Sequence, residues 1–130
     1  MKKNILFVCV ENSNRSQIAQ AYTIIHGKDI LNVYSAGSKP SGIINPKAIA
    51  AMKEVNYDLT KHASKALSEI PDIVYDYAIT MGCGDECPYI IATHREDWSI
   101  PDPKEMNEND FRNIRDLIEQ KVKGLLVTLK

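Results

Sequence analysis

The chain has almost no excess charge: 16 Lys and Arg stand against 17 Asp and Glu, a formal net charge of −1. No broad basic field therefore draws it to nucleic acid or to an anionic membrane, and any anion it binds must be held by a local arrangement. Long apolar runs are missing too. Nothing approaches the ~18 consecutive apolar residues of a membrane span. The start, Met1-Lys2-Lys3 followed by about six apolar residues, is too short for a signal peptide and lacks a small-residue cleavage site. A cytoplasmic monomer is expected. Cysteine is scarce and odd in number, at Cys9, Cys83 and Cys87. In a reducing compartment that argues against a disulfide framework and leaves catalysis, redox chemistry or metal binding. Repeats, low-complexity segments and linkers are absent. With 44% apolar and 25% charged residues over 130 positions, the composition is that of one globular domain, 1–130, with a core of its own.

What is present is an alternation of strand and helix patterns. Ile5-Leu6-Phe7-Val8 lies inside a nearly continuous apolar run from Asn4 to Val10, which suits a strand buried on both faces. Ile18, Ala21, Tyr22 and Ile25 then recur at helical spacing, with Gly27 as a stop. Val33 to Ala36 reads as a second strand. Asn45-Pro46 pairs an N-cap with proline at the first helical position, opening a helix with Ile49, Met52 and Val55 on one face. Tyr77 to Met81 reads as a third strand, and a short fourth is expected near Glu96 to Ser99. Phe111, Ile114, Leu117, Ile118, Val122 and Leu125 form the apolar stripe of a last helix. Alternating strands and helices predict a parallel sheet covered by helices on both faces. Ligands of such sheets bind at the carboxyl ends of the strands, where Cys9 falls.

Between the first strand and the first helix runs Cys9-Val10-Glu11-Asn12-Ser13-Asn14-Arg15-Ser16. Five residues between cysteine and arginine can wrap a half-ring whose N–H groups face inward as a nest for a tetrahedral anion. The helix that follows adds its unpaired N-terminal N–H groups and the positive end of its dipole. Arg15 supplies a planar fork matched to two oxygens of a phosphate or arsenate. The same field favours a nucleophilic thiolate at Cys9, with Ser16 placed to donate to it and Asn12 to brace the loop. The anion is thus expected on Val10, Glu11, Asn12, Ser13, Asn14, Arg15 and Ser16. A lone cysteine is more often a buried small hydrophobe; its place between strand and helix is what favours chemistry here.

At these residues the chain resembles the low-molecular-weight protein tyrosine phosphatase superfamily and, within it, the arsenate reductase branch. The likeness takes in the C-x5-R-S loop and Gln17, where phosphatases of the family carry proline. It continues through Tyr34-Ser35-Ala36-Gly37, Asn45 to Val55, Asp58, the stretch Thr80 to Pro88, Trp98 and Asp102-Pro103. It implies a single-domain, three-layer α/β sandwich with a four-stranded parallel sheet in the order 2-1-3-4 and helices on both faces. It also implies arsenate reduction by Cys9, with phosphotyrosine hydrolysis through a cysteinyl-phosphate as the alternative. No bound cofactor or metal is implied, only an external thiol reductant of thioredoxin, glutaredoxin or low-molecular-weight type. Asn14 stands where many thioredoxin-linked members carry a second cysteine. Asn12, Gln20, Ser35 and Lys65 stand at the positions of a potassium site of some members, but two carboxylates of that site are missing here, and Lys65 is expected to take the place of the cation.

Asp102, between Pro101 and Pro103, is the candidate acid that protonates a leaving oxygen, a role that rests mainly on the resemblance; otherwise it is a turn aspartate. Cys83 and Cys87 lie past the third strand, at the same edge of the sheet as Cys9. Cys83 is the first choice to resolve a Cys9 adduct, with Cys87 passing the disulfide outward. A zinc site on Cys83, Cys87 and His94 is the other reading, but it lacks a fourth ligand at recognisable spacing. His26, His62 and His94 carry no spacing that singles them out.

Overall fold

The computed structural model describes residues 2–82 and 90–129. Four parallel strands, β1 (Lys3–Cys9), β2 (Leu31–Gly37), β3 (Tyr75–Thr80) and β4 (Ala92–Asp97), lie in the order β2-β1-β3-β4. The α-helices are α1 (Arg15–Gly27), α2 (Pro46–Lys53) and α3 (Glu108–Leu129), with one-turn 3-10 helices at Leu59–Lys61 and Leu67–Glu69. The expected topology is the observed one.

β1 is central, paired on both sides, which is why its apolar run is unbroken. Its side chains alternate: Ile5, Phe7 and Cys9 enter the larger core, while Leu6 and Val8 enter a smaller one on the opposite face. The larger core is closed by all three α-helices. The smaller, built with Ala36, Tyr75, Ala78 and Ala92, is covered by the short helix at Leu67–Glu69 and by Ile70 and Ile90. Both faces carry helical cover, in very unequal amounts.

Local signals place most elements. The Asn45 side chain accepts from the Lys47 N–H and Pro46 opens α2, as the sequence indicates. Gly27 does end α1, without the left-handed turn conformation that glycine usually supplies at such a place. A Cβ there would sit 2.7 Å from Leu126 Cδ2, so the glycine leaves room for the Leu126 side chain of α3 as it stands. In α3 the stripe holds except at Leu117, which is exposed, while Leu126 is buried.

The fourth strand differs from the expectation, running Ala92–Asp97 rather than Glu96 to Ser99. It is an edge strand in which only Ala92 is buried, so no apolar alternation marks it, and the charged residues it exposes suit an edge. The turn that follows holds the apolar anchors: Trp98 packs against Phe7 with ring centroids 5.7 Å apart, and Ile100 is buried. β1 and β2 are in register at Cys9 and Gly37, and the β1, β3 and β4 ends open onto one cleft.

Candidate active site

The cleft is lined by Cys9, Glu11, Ser13, Asn14, Arg15, Gly82, Asp97, Ser99, Pro101 and Asp102, among others. It lies at the carboxyl ends of the strands, as a parallel sheet dictates. Residues 9–16 form its floor, and their backbone is fixed from outside. Cys9 O accepts from Ser38 N, Val10 O from Lys39 N, Glu11 O from Ser41 N, Ser13 O from Asn45 N and Asn14 O from Ile18 N. Ser64 Oγ also donates to Glu11 O, at 2.9 Å. The carbonyls are thus turned away into the protein. The N–H groups of Glu11 to Ser16 donate to no acceptor among the described residues. Asn14, the N-cap of α1, makes no side-chain capping bond, so the first-turn donors of the helix stay free for a ligand as well. This is the donor arrangement of an anion nest.

Two backbone features hold that shape. Asn12 adopts a left-handed φ of 51°, which asparagine tolerates better than most residues. Gly37, on the neighbouring strand, leaves room for the loop: a Cβ there would lie 2.5 Å from Val10 O and 2.9 Å from Asn12 N.

Inside the loop the side chains are buried and polar. Cys9 is 3% exposed, and its Sγ lies 2.9 Å from Ser16 Oγ. Asn12 Nδ2 donates to Ser16 Oγ at 2.7 Å, and Asn12 Oδ1 accepts from Lys65 N at 2.8 Å. Gln17, fully buried, donates through Nε2 to Asn12 O, Asn12 Oδ1 and Ala63 O. A polar, buried first helical turn is costly unless every group is paired, and it marks function rather than core.

Arg15 bridges the cleft. Its Nη1 donates to Met81 O at 2.7 Å and to Ile100 O at 2.9 Å, the chain just past β3 and β4. The Nε–Nη2 edge makes no hydrogen bond to a described residue, and Nη2 lies 4.0 Å from Asp102 Oδ2. One side of the guanidinium is therefore spent on rigidity, and the edge that can grip two oxygens is held ready. Asp102 stands opposite, half exposed, its Oδ1 accepting from Lys104 N at 3.0 Å.

Geometry thus gathers Cys9, Arg15 and Asp102 around one cleft, with Ser16 buried behind the Cys9 sulfur. Cys83 and Cys87 lie outside the described residues. His94 pairs with Glu96 at 3.0 Å and faces the Tyr77 ring. Of the four positions compared with a potassium site, Ser35 Oγ bonds Gln20 Oε1, and Lys65 reaches Asn12 through its backbone N–H. The Lys65 ammonium donates to Ala63 O instead. Burial lowers its pKa.

Asp97 escaped the sequence reading. Its Oδ1 accepts from Thr80 Oγ1 and Gly82 N, and its Oδ2 from Ser99 N and Oγ, so it ties the ends of β3 and β4 together. Burial pushes its carboxyl up, and these four hydrogen bonds outweigh that and lower it. The Asp-x-Ser turn just ahead of Pro101 is the local signal that could have found it.

Among known proteins, an arsenate reductase of Staphylococcus saprophyticus is 40% identical over 130 residues, covering 94% of this chain and 95% of that one. A solved arsenate reductase in the phosphate-binding state superposes with a TM-score of 0.89 at 32% identity, over 100% of both chains. A thioredoxin-dependent arsenate reductase of Corynebacterium glutamicum gives a TM-score of 0.79 at 32% identity, over 98% of this chain and 61% of that one. The family described as low molecular weight phosphotyrosine protein phosphatase matches residues 4–130. With its strand order, its nest of free N–H groups and this match over almost its whole length, the chain belongs to the low molecular weight phosphotyrosine protein phosphatase family.

Proposed function

We propose that the protein is a thiol-dependent arsenate reductase with Cys9 as the nucleophile. The observation that carries this reading is the floor of the cleft, where free N–H groups and the open Arg15 edge surround a thiol that contacts a hydroxyl. That floor accepts a tetrahedral oxyanion, and the relatives of similar length named above are arsenate reductases.

In the proposed sequence Cys9 Sγ attacks the arsenic. An As–S bond forms, an As–O bond breaks, and the departing oxygen leaves as water after taking a proton from Asp102. A second thiolate then attacks Cys9 Sγ. The S–S bond forms, the electron pair of the As–S bond stays on arsenic, and As(V) leaves as As(III) in arsenite. Cys83 is assigned the resolving role and Cys87 the relay to an external reductant, a thioredoxin, a glutaredoxin or a small thiol. The thioredoxin dependence of the Corynebacterium protein supports the first of these.

A phosphatase reading shares the first step, with phosphorus in place of arsenic. Among the described residues no aromatic side chain lines the cleft to stack on a phosphotyrosine ring, which favours the small inorganic anion. The test is arsenate-dependent NADPH oxidation with thioredoxin and its reductase, beside hydrolysis of para-nitrophenyl phosphate. Turnover of arsenate that Cys9→Ser abolishes is expected. Brisk ester hydrolysis with no arsenate-dependent oxidation under any thiol system overturns the reading.

A further inference from the structure

Behind the loop lies a buried path of hydrogen bonds that the reaction scheme leaves unused. Tyr57 OH is 2.6 Å from His62 Nε2, and His62 Nδ1 is 2.9 Å from Gln17 Oε1. Gln17 Nε2 is 2.9 Å from Asn12 Oδ1, Asn12 Nδ2 is 2.7 Å from Ser16 Oγ, and Ser16 Oγ is 2.9 Å from Cys9 Sγ. Six residues from two parts of the sequence, about 45 positions apart at the His62–Gln17 step, make one continuous chain.

Its direction follows from a proton inventory. The Gln17 terminal atom that faces the backbone carbonyls of Asn12 and Ala63 must be the amide nitrogen, because two oxygens cannot be donors. Gln17 Oε1 therefore faces His62 and accepts, so the imidazole proton sits on Nδ1. Nε2 then has only a lone pair, and Tyr57 must donate to it. At the other end, the Lys65 backbone N–H fixes Asn12 Oδ1 as an acceptor, which turns the Asn12 NH2 toward Ser16. Ser16 Oγ receives that donor, and among the described residues its own proton has one acceptor, Cys9 Sγ. The first four bonds point one way, from the phenol toward Ser16, and with the Ser16 proton on Cys9 Sγ the fifth continues in the same direction. A hydroxyl donating to sulfur stabilises a thiolate more than a thiol, whose sulfur is only a weak acceptor.

We infer that Tyr57 and His62 are positioning residues for the nucleophile. They start a one-way hydrogen-bond chain through Gln17, Asn12 and Ser16 that holds the donor hydroxyl on Cys9 and favours its thiolate. Burial, helped by the cations of Lys65 and Lys61 and opposed by Asp58, depresses His62 to about 4, so it stays neutral and keeps a single ring proton. Burial likewise raises Tyr57, which keeps its proton. The charged groups on the cleft side of the sulfur, Glu11, Arg15, Asp97 and Asp102, are separate from this path. The inference rests on Cys9 being the nucleophile.

The first measurement is the tautomer of His62 by long-range nitrogen–proton NMR near pH 7. The Nδ1–H form is expected; the Nε2–H form overturns the chain. The second is iodoacetamide labelling of Cys9, read on its own peptide by mass spectrometry in reduced protein, at pH 6.5 and at pH 9. Tyr57→Phe and His62→Leu are expected to slow labelling about three- to tenfold at pH 6.5, with near-native rates at pH 9 where the thiolate forms unaided. His62→Gln keeps one donor and one acceptor and restores most of the loss. Tyr57→Phe removes one hydroxyl and carries the test should His62→Leu not fold. Rates equal to wild type at both pH values in Tyr57→Phe overturn the proposal. Arsenate turnover that survives Cys9→Ser overturns instead the assignment of Cys9, a result independent of the labelling.

Discussion

The two walls of the cleft are built on opposite plans. The loop from Cys9 to Ser16 is buried apart from Val10 and Glu11, each carbonyl assigned to a partner and the strand beside it cut down to a glycine. The segment from Ser99 to Lys104 is exposed apart from Ile100 and Pro103. It is held mainly by long cations: Arg15 on Ile100 O, Lys104 Nζ on Glu11 at 3.0 Å, and Lys47 Nζ on Lys104 O and Met106 O. The first plan suits binding, where donors must wait in place for an anion at no cost of rearrangement. The second suits a proton donor, which has to approach a leaving oxygen and let product out. Preorganisation is concentrated where charge develops, and give is allowed where only one proton moves.

The contrast can be broken most severely at Arg15, which belongs to both walls. Arg15→Ala should lower phosphate affinity about a thousandfold, since it removes a buried charge and its fork. Arg15→Lys should recover only a small part, because an ammonium cannot serve two carbonyls and two anion oxygens together. Titration calorimetry with phosphate reads both. Asp102→Asn tests the exposed wall alone: the chemical step should slow about a hundredfold. Phosphate affinity should hardly change, and single-turnover kinetics separate the two.

A third prediction concerns acid. His62 is depressed to about 4 in the fold against 6.5 for a free imidazole, so between those values the unfolded chain binds the extra proton. Stability should therefore fall as the pH drops from 6.5 toward 4 and change no further on this account below that. Denaturant melts of the native chain and His62→Gln should diverge in that window. The smallest effect belongs to Lys104→Ala. It breaks an exposed ion pair with Glu11, and at most a small loss of stability is expected, fading as salt is raised.

How much of this could be read beforehand depended on distance along the chain. β1 declared itself because a strand buried on both faces must be apolar throughout, and α2 because Asn45 and Pro46 are local signals. The loop was legible for the same reason: cysteine, arginine and serine fall within eight consecutive residues. β4 was misplaced because an exposed edge strand has no apolar period to show. The Tyr57–His62 pair was invisible, since its meaning lies in a contact with Gln17 far away in sequence; Asp97 left only its Asp-x-Ser turn as a local trace, while its bond to Thr80 lies across the sheet. His62 in particular has nothing in its own neighbourhood that distinguishes a proton-locked imidazole from a surface one.

Gly37 carries a consequence for how such a site can change. The cradle is made of backbone, and the strand alongside approaches it too closely to admit even one carbon more. Exposed side chains of the loop such as Glu11 can therefore change with little penalty, while Asn12 is held by its buried bonds and a single insertion or deletion between Cys9 and Arg15 would break the site at once. The loop behaves as a ruler: its function depends first on the number of residues between Cys9 and Arg15, and then on the one letter, Asn12, that braces it from within.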